Sequence, residues 1–144
     1  MAHDVQITMD AADPAAQAEF WAQALGYVVQ PPPEGFADWP AFLTAQQVPR
    51  ERWNDASAAV DPDGAGPRLF FQRVPEEKTT KNRVHLDLRA AAGASPEARM
   101  DVLEAACDRL VAIGASRVRR VEASGFFPGF IVMADPEGNE FCLD

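Results

Sequence analysis

One supersecondary unit occurs twice along this chain, and no other feature of its sequence restricts the fold as much. A strand-like stretch, Val5 to Asp10, precedes a helix that opens at Asp13-Pro14 and stops at Gly26. Later the turn Asp61-Pro62-Asp63-Gly64 leads into the apolar run Leu69-Phe70-Phe71. The order returns in the second half: a strand from Val84 to Arg89, a helix from Ser95-Pro96 to Gly114, then Asp135-Pro136-Glu137-Gly138 running into Phe141-Cys142-Leu143. Two copies of one unit predict a single pseudo-symmetric α+β domain over residues 1–144, with module one at about 1–75, module two at about 83–144 and a site between them. With 144 residues, 47% of them hydrophobic, one compact core can be filled.

Helix punctuation supports the two units. Asp13 can cap the first helix with Pro14 at its first position, where a missing N–H costs nothing, and Gly26 supplies a left-handed stop. Phe20, Trp21, Ala24 and Leu25 form its predicted buried stripe. In the second helix Ser95 is the expected cap, and Met100, Leu103, Cys107, Leu110 and Val111 the buried side. Cys107 reads there as a small core residue. Strands are expected at Tyr27 to Gln30 and Ser116 to Glu122. An irregular insertion from Pro31 to Asn54 carries Trp39 and Trp53, with a short helix from Asp38-Trp39-Pro40 to about Gln47; it reads as packing or as a lid.

Charge narrows the partners. The formal net charge is −9, which opposes a nucleic-acid surface and an anionic membrane surface. Residues 1–66 hold ten acids and two bases, whereas 67–89 hold six bases (Arg68, Arg73, Lys78, Lys81, Arg83, Arg89) and three acids, a local field suited to an anionic ligand or simply a solvated face. Met1-Ala-His-Asp has neither a basic start nor an apolar core, so no secretory leader is expected. Two cysteines make no disulfide framework, and a reducing cytoplasm is the expected home.

Alternation along the strands singles out the chemical residues. Val5, Ile7 and Met9 should face the helices, leaving Gln6, Thr8 and Asp10 opposite. Val84, Leu86 and Leu88 face one way, and Arg83, His85, Asp87 and Arg89 the other. Phe141 and Leu143 alternate with Glu140 and Cys142. A polar strand face ordinarily meets water. His, Gln, carboxylate and thiol together are also a ligand set for a divalent metal.

The Phe20-Trp21 to Leu25-Gly26-Tyr27 helix exit, the Val84-His85-Leu86-Asp87-Leu88 strand and the terminal Asp135-Pro136-Glu137-Gly138-Asn139-Glu140-Phe141 resemble the glyoxalase, bleomycin-resistance and extradiol-dioxygenase superfamily, the vicinal oxygen chelate proteins. Small glyoxalase-like domains are the best match within it. The resemblance implies two βαβββ modules forming a cupped mixed sheet with helices on the outer face, and a homodimer. It also implies a divalent metal (zinc, nickel, manganese or iron) that chelates vicinal oxygens of the substrate. Carried over position by position, the metal ligands would be Gln6, His85 and Cys142, the last standing where the family carries glutamate. Glu140 shares that strand face, but two residues along a strand span about 6–7 Å. Metal–oxygen bonds are about 2 Å, so Glu140 does not replace the missing carboxylate without a strand shift.

Three readings follow. In one, the chain is a metal-dependent lyase, isomerase or dioxygenase with Glu140 as base. In another, a metal-free pocket uses His85, Asp87, Arg83 and Glu140 to bind or turn over a small polar molecule, with imidazole as the natural proton carrier near neutral pH. In the third, it sequesters an antibiotic or metabolite, with Trp39, Trp53 and Phe71 offering flat surfaces. The metal-free pocket is placed first, with His85 and Glu140 as candidate catalytic residues and Arg83, Asp87, Trp39 and Phe71 as candidate binding residues.

Overall fold

Residues 1–144 are all described by a computed structural model, which divides into two compact units, Met1–Glu77 and Lys78–Asp144. The first contains β1 (Ile7–Ala11), α1 (Pro14–Leu25), β2 (Val28–Val29), α2 (Trp39–Ala45), β3 (Ala56–Val60) and β4 (Leu69–Arg73). The second contains β5 (Leu86–Leu88), α3 (Arg99–Ala112), β6 (Ser116–Val121), β7 (Phe130–Ala134) and β8 (Glu140–Leu143). Setting aside the inserted α2, each unit is a βαβββ module with its own four-stranded mixed sheet. The strand orders are β1-β4-β3-β2 and β5-β8-β7-β6, so the first strand of each module lies parallel beside its last.

In the first unit, Asp13 caps α1 through the Ala16 N–H (3.2 Å), and Gly26 stops it at φ 71°. Helix α1 lies against β3 and β4. Phe20 and Trp21 meet edge to face at 5.5 Å and are buried, as are Ala58, Ala59, Leu69 and Phe71. The expected stripe is shifted: Ala18 and Ala22 are buried, whereas Ala24 and Leu25 are only half-buried. The strand Ala56–Val60 carries no strong β-forming run, and its small side chains allow α1 to approach closely. Val5, expected to face a helix, is 67% exposed because β1 begins two residues later.

In the second unit, Leu103, Ala106, Cys107 and Leu110 are the buried face of α3, and Cys107 Sγ reaches Met133 Sδ of β7 at 3.4 Å. Helix α3 starts at Arg99 rather than at Pro96. Ser95 still accepts the Ala98 N–H, but residues 96–98 form a turn that leads into the helix. Val111 is exposed. The strand expected from Val84 to Arg89 is confined to Leu86–Leu88; Arg83 and Val84 lie in a bend, and Val84 is 78% exposed. Asp135 closes the last turn by accepting N–H groups from Glu137 and Asn139, each at 2.9 Å. The chain then enters β8, where Phe141 and Leu143 are buried among the core residues.

Candidate functional site

The second module brings its polar residues together by register. In the parallel β5–β8 pair Asp87 lies opposite Cys142, and Cys142 lies opposite Val132 of β7. Partnered residues share a face, so Asp87, Cys142 and Val132 form one row on the side opposite Leu86, Phe141 and Met133. His85, two residues before Asp87, belongs to the same side, and its Nε2 is 3.3 Å from Asp87 Oδ1. One ligand atom each from His85, Asp87 and Cys142 lies within 4.8 Å of the other two. The imidazole and carboxylate are half exposed (46% and 53%), whereas Cys142 is buried at 8%.

Glu140 opens β8 beside this group. Its Oε2 meets the Lys81 ammonium at 2.5 Å, and its backbone N–H donates to Asn82 Oδ1 at 3.2 Å. The hydrogen bond from Lys81, then the charges of Lys81, Lys78 and His85, hold the Glu140 carboxyl below its ordinary range. A carboxylate stabilised in this way is a weaker base. The Cys142 thiol is pushed up, first by burial and then by the charges of Asp87, Glu140 and Asp144. Asp144 is committed to Arg89 (2.6 Å) and Arg99 (2.5 Å).

The remaining candidates are Arg83 of the second module and Phe71, Trp39 and Gln6 of the first. Arg83 is exposed in the bend before β5, and the side chain beside Asp87 is that of His85. Phe71, expected to offer a ligand surface, is 0% exposed; pleating turns it with Leu69 into the core under α1. Trp39 is half-buried in the first module, donating through Nε1 to the Gln30 carbonyl (2.7 Å) and packing edge to face on Phe42. Gln6 is exposed there, and its Oε1 accepts from Arg68 at 2.6 Å; Arg68 also donates to Gln30 Oε1. Lys81 is the site residue that sequence reasoning did not single out, counting it only as one of six bases in residues 67–89. The lysine's pairing becomes visible only when the approach to β5 is placed beside β8.

A duplicated βαβββ fold defines a class, and the solved structures share that fold. The fosfomycin resistance protein FosX from Listeria monocytogenes, solved as a mutant with Mn(II) and 1S,2S-dihydroxypropylphosphonic acid, superposes with a TM-score of 0.62 at 10% identity. That match covers 99% of this chain and 89% of the other. A glyoxalase/bleomycin resistance protein/dioxygenase family enzyme from Burkholderia phytofirmans PsJN gives 0.57 at 14% identity, covering 96% and 94%. A glyoxalase-related enzyme from Fulvimarina pelagi gives 0.55 at 18%, covering 99% and 87%. At such identities the likeness is one of fold. No curated protein matches the sequence. The model of the Glyoxalase-like domain family matches residues 6–143, and the chain belongs to that family.

The family's metal chemistry can be tested against these residues. Chelation of substrate oxygens suits a hard cation or Fe(II) held by carboxylate and neutral donors. Here position 142 is a buried thiol, the Glu140 carboxylate holds Lys81, and the Gln6 oxygen holds a guanidinium. This donor set does not fit such an ion.

Proposed function

We propose that the second module binds a small polar molecule with an anionic group, on the face built from Lys81, His85, Asp87, Glu140 and Cys142, without a family-type metal. The observation that carries this reading is the half-exposed His85–Asp87 pair at 3.3 Å. A carboxylate on one imidazole nitrogen fixes the orientation of the ring and leaves the other nitrogen for a ligand. Where the molecule is turned over, His85 moves the proton and Asp87 positions it. Glu140, candidate base from the sequence, instead orients the Lys81 ammonium. Lys81 and exposed Arg83 supply the positive field for an anionic group.

Denaturing mass spectrometry of natively purified protein tests this directly. A stoichiometric small molecule, lost in His85→Ala, is the expected result; the same molecule retained in that variant contradicts it. Retention without transformation would point to sequestration of the bleomycin-resistance kind, and transformation to lyase or isomerase chemistry. A divalent-metal lyase, isomerase or dioxygenase is the alternative, favoured by the Mn(II) bound to the FosX mutant and disfavoured by the donor set above. Pairing into a homodimer and a cytoplasmic location also belong to this proposal, tested by sedimentation and by cell fractionation. The chain has no helix long and apolar enough to cross a membrane.

A further inference from the structure

Strand β6 reads Ser-Arg-Val-Arg-Arg-Val and lies at the end of the second sheet, paired on one side only, with β7. Regular alternation would put Arg117 and Arg119 on one face and Arg120 on the other. A bulge between Arg117 and Arg119 changes that order: Arg117 lies opposite Met133, Arg119 opposite Val132 and Arg120 opposite Ile131. Arg117 and Arg120 therefore share the helix side, where they donate to Glu104 of α3 at 2.9 and 3.0 Å. Arg119 takes the other side, and extends the row of Asp87, Cys142 and Val132 by one strand. We propose that Arg119 is a second anion-recognising residue of this polar face, and that the molecule bound there is a dianion, with one acidic group towards Lys81, the other at Arg119 and an apolar spacer between. The inference deepens the binding reading above and rests on it.

Charges and a bulge on an edge strand ordinarily keep it from pairing with another chain, and Arg117, Arg120 and the bulge already meet that need. A bulge also re-aims the side chains beyond it, and here it delivers a cation to the face that carries His85 and Asp87. Arg119 is exposed and, unlike Arg117 and Arg120, has no carboxylate partner. Asp87 lies beside His85, Glu140 holds Lys81, and Asp144 holds Arg89 and Arg99, so the carboxylates of β5 and β8 are already engaged. The free guanidinium is left for an external anion, which it can take through two parallel N–H bonds. Cys142 and Val132, each 8% exposed, lie between the two ends and offer an apolar floor to a spacer. Strand β6 is two strand spacings from β8, where Glu140 holds the Lys81 ammonium, a separation of roughly 10 Å. A molecule with two acidic groups at the ends of a short chain spans that gap; one with a single acidic group does not.

Calorimetric titration of the full-length, chelator-treated protein with adipate and with hexanoate tests this, because the two share a chain length and differ only in the second carboxylate. Adipate is expected to bind at least about fivefold more tightly. Arg119→Ala should remove that gain and leave hexanoate binding unchanged. Arg109→Ala, which deletes an exposed charge on α3, should leave both affinities as they are. In nitrogen-labelled protein the Arg119 Nε resonance should move with adipate and stay in place with hexanoate, a response that a purely structural arginine does not give. Equal affinities for the two acids, a gain that survives in folded Arg119→Ala, or an equal loss in Arg109→Ala would overturn the proposal. Hexanoate binding that is lost in His85→Ala upholds the binding reading even where adipate gains nothing, so the two can fail separately. Absence of binding by both acids would overturn the two together.

Discussion

Lys81 and Glu140 form the ion pair that sets the charge of the second module's polar face, ammonium to carboxylate at 2.5 Å with the lysine 72% exposed. Such an exposed pair contributes little to stability, but it lowers the pKa of Glu140. Lys81→Ala is expected to raise the Glu140 pKa towards the ordinary carboxylate value, followed by side-chain NMR titration, with the melting temperature little changed. The depressed folded value means that the pair's contribution is present above the unfolded pKa and is lost as pH falls through the folded one. An unshifted Glu140 titration in the variant would remove Lys81 from its assigned role.

Asp13 ties α1 to the insertion. Its Oδ1 accepts from Asn54 Nδ2 at 2.8 Å as well as from the Ala16 N–H, and Asn54 Oδ1 accepts the Ala15 N–H at 2.9 Å. The Asn54 bond, then the backbone bond, lowers the Asp13 pKa. Asp13→Ala should cost about 1 kcal/mol in urea unfolding at neutral pH. The difference from wild type should shrink as pH falls from the unfolded aspartate value of about 3.9 through the lower native one.

Phe71 separates a core role from a ligand role. Its full burial predicts that Phe71→Ala costs about 3–5 kcal/mol of stability, measured by denaturant unfolding. A near-neutral substitution that weakened ligand binding would reverse that assignment.

Both thiols have raised pKa values, with burial the largest cause for each. Native protein should therefore react slowly with an alkylating reagent at neutral pH and rapidly once unfolded. Fast modification of Cys142 in native protein would contradict the burial described.

Much of the fold was legible because local signals agreed. Asp13, Pro14 and Gly26 bound α1 as the sequence predicts, and the two Asp-Pro turns precede β4 and β8. The strand Ala56–Val60 was not legible, since alanines carry little strand preference and this one forms through pairing with β4 and cover from α1. Strand ends were overextended at Val5 and Val84, where apolar residues continue beyond the paired backbone and stand in solvent. The alternation of His85 and Asp87 was readable, but their grouping with Cys142 depends on the β5–β8 register, a contact across 55 residues that no local pattern specifies. For the same reason the Lys81–Glu140 pair was out of reach of sequence reasoning.

The central claim, a metal-independent small-molecule face around His85, is tested most directly by chemical-shift mapping. Small carboxylates and phosphonates would be titrated into isotope-labelled, chelator-treated protein. The account predicts shifts concentrated at residues 81–87 and 140–142 and abolished in His85→Ala. Shifts that lie elsewhere, that survive in His85→Ala, or that arise only after manganese(II) is added would contradict it.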